Sequence, residues 1–252
     1  MKTIDINCDM GESFGNYQIG NDQGIFPYIT SCNVACGFHG GDPLHMERTI
    51  KAAIENGVQI GAHPGLPDLG GFGRRKMELP AEELKAAVKY QLAAIKGMAE
   101  SFGASVGYVK PHGALYNMAA ESEEISKTLI NSVQEIDGGL VIMGLAGSLF
   151  QDICHANNMP FVAEAFADRS YESNGRLRSR SLEGAVLTNS EIAAQQVLDI
   201  VLNQQVVAYD GSTVRVQAQS ICIHGDNPAA VEILKAIDAK LMEAGMEKKS
   251  FL

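Results

Sequence analysis

The sequence predicts an α/β fold, a single parallel (β/α) barrel, on the strength of two observations. Short apolar runs typical of buried strands alternate with longer segments whose apolar residues recur every three or four positions. The chain has 252 residues, of which 46% are hydrophobic, and no linker or low-complexity segment divides it. We therefore expect residues 1–252 to form one irregular barrel domain of seven or eight strands, with an open doubly wound sheet as the alternative.

The candidate strands are apolar runs bounded by loop residues. In the first run, Asp5, Asn7 and Asp9 share one face, because side chains alternate along a strand. A strand buried in a parallel sheet is usually apolar on both faces. This polar face therefore indicates either a polar barrel interior near a site or side chains that only hydrogen-bond to one another. The seven runs are Thr3–Cys8, Ile29–Ala35, Val58–Ala62, Val106–Lys110, Leu140–Met143, Phe161–Phe166 and Ser220–Ile223.

The helices between these strands have recognisable ends. Asp42 as N-cap and Pro43 at the first position begin one helix, and Asn56-Gly57 ends it. The segment Val206–Val216 is predicted to form a hairpin around Asp210-Gly211, whereas Tyr171–Leu187 matches no regular element. The other predicted helices are Pro80–Phe102, Glu121–Ile136, Gly147–Asn157, Ser190–Leu202 and Asn227–Gly245.

Composition excludes several classes of function. The formal net charge of -10 argues against a nucleic-acid partner, which requires a concentrated cationic face. The N-terminus has acids where a signal peptide would be apolar, and no apolar run approaches ~18 residues, so we expect a cytoplasmic protein without a membrane segment. Two local basic runs could bind small anions or be solvated; they are Arg74-Arg75-Lys76 and the series Arg176, Arg178 and Arg180.

Four of the six histidines follow predicted strands directly. His39, His63, His112 and His224 each stand where an apolar run meets a loop containing Gly or Pro. Ligand and catalytic groups collect at the carboxyl ends of parallel strands, so these four side chains are expected in one pocket. The similar segments CGFHGGDP and CIHGDNP are explained by βα-turn construction, in which an Asp or Asn caps a helix that begins at proline.

Further charged residues fall near the same strand ends. Asp168 beside Arg169 could hold a substrate carboxylate next to an ionised base, or form a surface ion pair. Lys110 is either a pocket cation or the last solvated residue of its strand. Histidines and acids together allow proton transfer or a hydrolytic metal. The sequence contains neither the GxxxxGK[ST] phosphate loop nor the GxSxG elbow, so spacing alone predicts a hydrolase-like pocket.

Six segments in order resemble the LamB/YcsF family over nearly the whole chain. They are DINCDMGESFG (5–15), NVACGFHGGDP (33–43), GAHPGLPDLGGFGRR (61–75), YVKPHGALYN (108–117), EAFADRSY (164–171) and ICIHGDNP (221–228). The resemblance implies a barrel related to the glycoside hydrolase and deacetylase barrels. It also implies ATP-dependent opening of 5-oxo-L-proline to L-glutamate together with two partners, 5-oxoprolinase subunits B and C (PxpB and PxpC).

With this resemblance, the pocket residues can be assigned as hypotheses. Substrate binding is assigned to Asn7, Lys110, Arg169 and Asp226, and the general base is an Asp or a His that the sequence does not single out. ATP is expected at or from the partner subunits, and a divalent metal is compatible with the residues. The alternatives are a stand-alone metal-dependent deacetylase-like hydrolase and a non-catalytic 5-oxoproline-binding subunit. The catalytic candidates are Asp9, Glu12, His39, His63, His112, Asp168 and His224.

Overall fold

Seven parallel strands close into a barrel, which confirms the predicted fold class. The computed structural model describes residues 2–252. The last barrel strand pairs with both the sixth and the first, so the sheet has no open edge within the ring. In chain order the strands are β1 Thr3–Met10, β2 Ser31–Ala35, β3 Gln59–His63, β4 Val106–Val109, β5 Val141–Leu145, β6 Phe161–Phe166, β7 Gln205–Val207, β8 Thr213–Arg215, β9 Ser220–Ile223 and β10 Glu247–Lys248.

Three of these strands lie outside the ring. β7 and β8 form the antiparallel hairpin predicted over Val206–Val216. β10 pairs in parallel with the first residues of β1, and its two residues carry too little pattern for the sequence to predict. The seven barrel strands therefore coincide with the seven predicted runs, to within a few residues at each end.

The helices pack around the barrel, and two of them differ from expectation. The predicted helix Glu121–Ile136 is interrupted by Ser122, whose extended backbone and side chain cap the start of α5, and a separate α4 precedes it. The last helix begins at Ala230, three residues later than predicted. The helices are α1 Asp22–Ile25, α2 Pro43–Asn56, α3 Ala81–Ser101, α4 Gly113–Glu121, α5 Glu123–Asp137, α6 Leu149–Ala156, α7 Ser190–Asn203 and α8 Ala230–Glu243.

The first predicted helix, α2, has the expected ends. The Asp42 carboxylate accepts hydrogen bonds from the backbone N–H groups of Leu44 and His45. At the other end Gly57 has a φ of 64°, the left-handed conformation that glycine adopts without strain. The βα turn before α2 therefore follows the chemistry read from the sequence.

The barrel interior is polar along β1, as the first strand predicted, whereas Met143 and Val162 make an apolar part of it elsewhere. Asp5, Asn7 and Asp9 are all buried, while Ile4 and Ile6, on the other face of β1, belong to the apolar layer between strands and helices. Each of the three polar side chains is hydrogen-bonded, because a buried polar group without a partner costs free energy. The polar interior therefore leads from the lower end of the barrel towards the carboxyl ends of its strands.

The segment between β6 and α7, which matched no element, folds as a loop tied back to its own start. An isolated bridge joins Tyr171 to Leu177, and the Leu187 N–H donates to the carbonyl of Asp168. This loop carries the second basic run to the rim of the barrel. Within residues 2–252, none of the helices has the length and apolar character required to cross a membrane.

Candidate active site

A cleft of about 910 Å³ opens at the carboxyl ends of the barrel strands. This is the end at which parallel barrels gather their ligand-binding groups. The cleft brings together six of the eleven residues that the sequence singled out. They are Asp9, His63, Lys110, His112, Arg169 and His224.

A cluster of one acid and three histidines forms part of the cleft floor and continues beneath it. The Glu12 Oε1 atom lies 3.2 Å from His39 Nε2 and 3.4 Å from His112 Nδ1. His63 Nε2 lies 3.0 Å from His112 Nδ1. Glu12, His39, His63 and His112 are all buried, and the ligand atoms of these four residues lie within 4.8 Å of one another. We call these four residues the histidine cluster; its composition is compatible with a divalent metal ion.

Two glycines make the close packing of the histidine cluster feasible. A Cβ on Gly73 would lie 2.6 Å from His39 Cβ and 2.8 Å from His112 Cδ2, and a Cβ on Gly65 would lie 2.5 Å from His39 Nδ1. Gly73 also has a φ of 63°. Burial lowers the pKa values of His39 and His112 well below the usual range, with neighbouring histidines adding to the effect. Burial and the adjacent Asp9 raise the pKa of Glu12 well above its usual value.

Lys110 lies at the centre of the barrel mouth, and its ammonium group contacts three side chains. Its Nζ lies 2.8 Å from Asp9 Oδ1, 2.9 Å from Glu164 Oε1 and 3.0 Å from Cys222 Sγ. Only 2% of the residue is exposed, so the alternative of a solvated strand end is wrong. Burial alone would raise the pKa of Asp9, but His63 and Lys110 reverse this and hold it well below its usual value. Asp9 is therefore an ionised carboxylate at the cleft floor.

Asp168 pairs with His224, not with the arginine that follows it in the sequence. The distance from Asp168 Oδ1 to His224 Nδ1 is 2.8 Å, and Asn227 donates to Asp168 Oδ2 at 3.0 Å. Burial would raise the pKa of Asp168, yet His224 and the Asn227 amide bring it below its usual value. His224 stacks on Phe166 and borders the cleft. A histidine oriented by a buried carboxylate is an arrangement suited to proton transfer.

Asn227 also stands where the last helix was predicted to begin. The Asn227 side chain is engaged by Asp168 and by the Leu187 carbonyl. It accepts only from the N–H of Ala229, and α8 begins at Ala230. The predicted helix start at Pro228 is therefore wrong by two residues. The Asn227 Oδ1 atom does accept from the Ala229 N–H, as a capping side chain would, but the backbone from Asn227 to Ala230 forms only a single turn, in which the Ala230 N–H donates to the Asn227 carbonyl.

The remaining predicted substrate-binding residues are committed to protein contacts. Arg169 donates to the backbone carbonyls of Ala185 and Arg178, so the alternative of a surface ion pair with Asp168 is wrong. Burial and Arg180 lower its pKa to about 10. Asp226 forms an ion pair with Arg74 at 2.6 Å on the rim.

Asn7 lies deeper, beneath Lys110. Its amide donates to Glu164 Oε1 and to Ser220 Oγ, and the residue is completely buried. It supports the floor of the cleft from within the barrel and does not line it.

Two residues absent from the predicted site contact its central cation. Glu164 and Cys222 both touch Lys110 Nζ. Cys222 precedes His224 by two residues, and Glu164 occupies β6 at a position that faces inward. The alternation of side chains along a strand was the signal that could have identified Cys222.

The rim of the cleft is basic although the chain as a whole is acidic. Arg176 and Arg180 come from the loop after β6, and Arg215 comes from the hairpin. Arg74 and Lys76 also line the cleft, and Arg74 and Arg180 contact the same oxygen of Asp226. Some of this charge is balanced, since Arg176 pairs with Glu121 at 2.9 Å. The rim nevertheless concentrates positive charge around a chain whose formal net charge is -10.

The closed barrel and its acid- and histidine-lined cleft define a (β/α)-barrel protein with a pocket suited to acid–base chemistry. The chain belongs to the LamB/YcsF family, whose model matches residues 4–252. A relative from Photorhabdus laumondii, named as the A subunit of 5-oxoprolinase, is 47% identical over 252 residues, which is 100% of this chain and 100% of the relative.

Solved structures support the same assignment. A lactam utilization protein from Thermus thermophilus superposes with a TM-score of 0.93 at 41% identity, over 100% of both chains. The catalytic domain of a peptidoglycan N-acetylglucosamine deacetylase from Eubacterium rectale has a TM-score of 0.53 at 10% identity, over 100% of this chain and 89% of that one. The latter similarity concerns the fold alone.

Proposed function

We propose that this chain is the A subunit of an ATP-dependent 5-oxoprolinase, which opens the lactam of 5-oxo-L-proline to give L-glutamate. The observation that carries the proposal is the full-length match, at 47% identity, to a relative that bears this name. The cleft supports it with an oriented histidine, an ionised carboxylate and a cationic rim. Subunits B and C are the proposed partners, and the cytoplasm, where ATP is available, is the proposed compartment.

The chemistry of the substrate explains a requirement for ATP. A five-membered lactam is a stable amide, and water adds to its carbonyl carbon readily only after activation. Phosphorylation of the lactam oxygen provides that activation. Since the sequence contains no GxxxxGK[ST] loop, we assign the nucleotide site wholly or in part to a partner subunit.

The basic rim is suited to the activated substrate. A phosphorylated 5-oxoproline carries the charge of its carboxylate and that of its phosphoryl group. Arg74, Arg176 and Arg215 border the opening through which such an anion would pass, and guanidinium groups bind carboxylate and phosphoryl oxygens in a bidentate manner.

We assign proton transfer in ring opening to His224. Its Nδ1 faces Asp168, which leaves Nε2 for the cleft. Phosphorylation of the lactam oxygen releases the N–H proton and leaves a cyclic imidate. In the ring-opening step a water oxygen bonds to the imidate carbon, and His224 accepts a proton of that water and returns it to the ring nitrogen. The second proton of the water also passes to the nitrogen as the carbon–nitrogen bond breaks, which leaves a free amine and an acyl phosphate. A second water then releases phosphate from the resulting acyl phosphate and leaves L-glutamate.

Reconstitution tests this proposal. The chain is purified alone and together with subunits B and C, and glutamate release from 5-oxo-L-proline is followed with and without ATP. We expect release only from the three-subunit mixture with ATP. Hydrolysis of acetylated sugars by the chain alone, without ATP, would favour a deacetylase-like hydrolase. An inactive mixture of folded proteins would overturn the assignment.

A further inference from the structure

We propose that Glu12, His63 and His112 form a binding site for a divalent transition-metal ion, with Zn²⁺ as the best match. The three side chains come from the loop after β1, the end of β3 and the loop after β4. The site borders the cleft of the proposed function, but metal binding is measured without substrate, so either proposal can fail without the other.

The hydrogen bonds of two histidines fix which ring nitrogen carries a proton. His63 Nδ1 lies 2.7 Å from the carbonyl oxygen of Lys110, and His112 Nε2 lies 2.8 Å from that of Phe72. A carbonyl oxygen only accepts hydrogen bonds, so both of these nitrogens must donate. Without the additional proton through which His63 would lower the pKa of Asp9, both rings are neutral, and His63 Nε2 and His112 Nδ1 present lone pairs to each other.

Two facing lone pairs at 3.0 Å repel unless a cation lies between or beside them. Carboxylate oxygens surround the pair as further electron donors, with Glu12 Oε1 3.4 Å from His112 Nδ1 and Asp9 Oδ2 3.4 Å from His63 Nε2. Metal-ligating histidines almost always donate their other N–H to a carbonyl or carboxylate, as both rings do here. The cluster is therefore arranged to receive positive charge.

Two of the three distances between ligand atoms are close to those of a tetrahedral zinc site, and the ligand atoms of Glu12 and His63 lie farther apart, within 4.8 Å of each other. Bonds of about 2.0–2.2 Å separate neighbouring ligand atoms by about 3.3–3.6 Å in a tetrahedron. The Glu12–His112 separation of 3.4 Å lies in this range, and the His63–His112 separation of 3.0 Å requires only a small widening. Two histidines and one glutamate with an open fourth position form a known catalytic zinc ligand set.

His39 has a different role in this arrangement. Its ring stacks on that of His112 with centroids 3.6 Å apart and planes 4° from parallel. An imidazole lone pair lies in the plane of its ring, so one ion cannot bind both stacked rings well. His39 Nε2 lies 3.2 Å from Glu12 Oε1, and we infer that it orients this carboxylate towards the ion.

A second group of potential ligands, Asp9, Cys222 and His224, is less suited to a metal. The Asp9 Oδ1 and Cys222 Sγ atoms both contact the Lys110 ammonium, at 2.8 and 3.0 Å. That buried cation already occupies the position where an ion would have to lie. His63 and His112 line the cleft, so an ion held by them would be able to polarise a substrate oxygen or acidify a water there.

The test is equilibrium dialysis of the purified chain against Zn²⁺ or Co²⁺, with elemental analysis and the visible spectrum of the Co²⁺ form. We expect one ion per chain, ligand-field bands typical of low coordination, and no thiolate charge-transfer band. Replacing a residue that only hydrogen-bonds to a metal ligand weakens metal binding by about 10–100-fold. Replacing a ligand itself should have a larger effect, so Glu12→Gln, His63→Ala and His112→Ala should each weaken binding by at least about 100-fold. His155→Ala, on the exposed face of α6, and His224→Ala should bind as the unmodified chain does.

Circular dichroism and urea unfolding verify that each variant folds, and the spectrum of the unmodified chain tests the site without any substitution. A thiolate band that disappears in Cys222→Ser would move the ion to the second group and overturn the proposal. Failure of the unmodified chain to bind either ion at millimolar concentration would also overturn it, and would mean that a shared proton lies between His63 and His112.

Discussion

Replacing His224 by alanine should nearly abolish glutamate release while leaving the fold intact. Asp168 Oδ1 lies 2.8 Å from His224 Nδ1, and Asn227 holds the other Asp168 oxygen at 3.0 Å. The ring is therefore fixed with Nε2 towards the cleft. Loss of a positioned general acid–base group slows turnover by about 10²–10⁴-fold, which corresponds to about 3–5 kcal/mol in the barrier.

The assay is steady-state glutamate release by the complex of this chain with subunits B and C at saturating ATP. His155→Ala is the matched control, because it removes an exposed histidine from α6 and should leave the rate unchanged. Free imidazole should restore part of the activity of His224→Ala, since the substitution opens space beside a cleft of about 910 Å³. Asp168→Asn should also slow release, because the amide cannot hold the same imidazole tautomer and charge.

The reasoning is refuted if His224→Ala releases glutamate within about twofold of the unmodified complex, a change far below the expected acid–base contribution. It is also refuted if imidazole restores nothing while Asp168→Asn is fully active. Either result would assign proton transfer to another group on the cleft floor.

Three further changes test other parts of the site. Lys110→Met leaves two buried carboxylates unpaired, so the urea unfolding free energy should fall by about 3–5 kcal/mol. Gly73→Ala places a Cβ 2.6 Å from a histidine side chain at a φ of 63°, and calorimetry should show a lower Tm. The double variant Arg176→Ala/Arg215→Ala should raise the KM for 5-oxo-L-proline in the complex with little change in kcat, whereas Arg48→Ala on the exposed side of α2 should not. A stable Lys110 variant, an unchanged Tm or an unchanged KM would contradict the corresponding argument.

The positions of the strands could be predicted from the sequence because apolar runs and their bounding loops are local features. The convergence of His39, His63 and His112 also followed, since the carboxyl ends of parallel strands meet at one end of a barrel. The polar face of β1 was readable from Asp5 and Asp9, because side chains alternate along a strand.

What the sequence could not provide depends on contacts between distant segments. The partner of Asp168 is His224, 56 residues away, while its neighbour Arg169 turns to backbone carbonyls. Likewise, the amide of Asn227 donates to that same acid. The ring tautomers of the histidine cluster are set by two carbonyls of other loops, and no local pattern reports them.

The central claim is that the lactam ring opens in this cleft after activation by ATP. A single-turnover experiment with limiting 5-oxo-L-proline, measuring ADP and glutamate in the complex that carries His224→Ala, tests this most directly. The account predicts that ADP still forms while glutamate formation falls by about 100-fold or more. Glutamate formation at the rate of the unmodified complex would contradict it, because the ring would then open elsewhere.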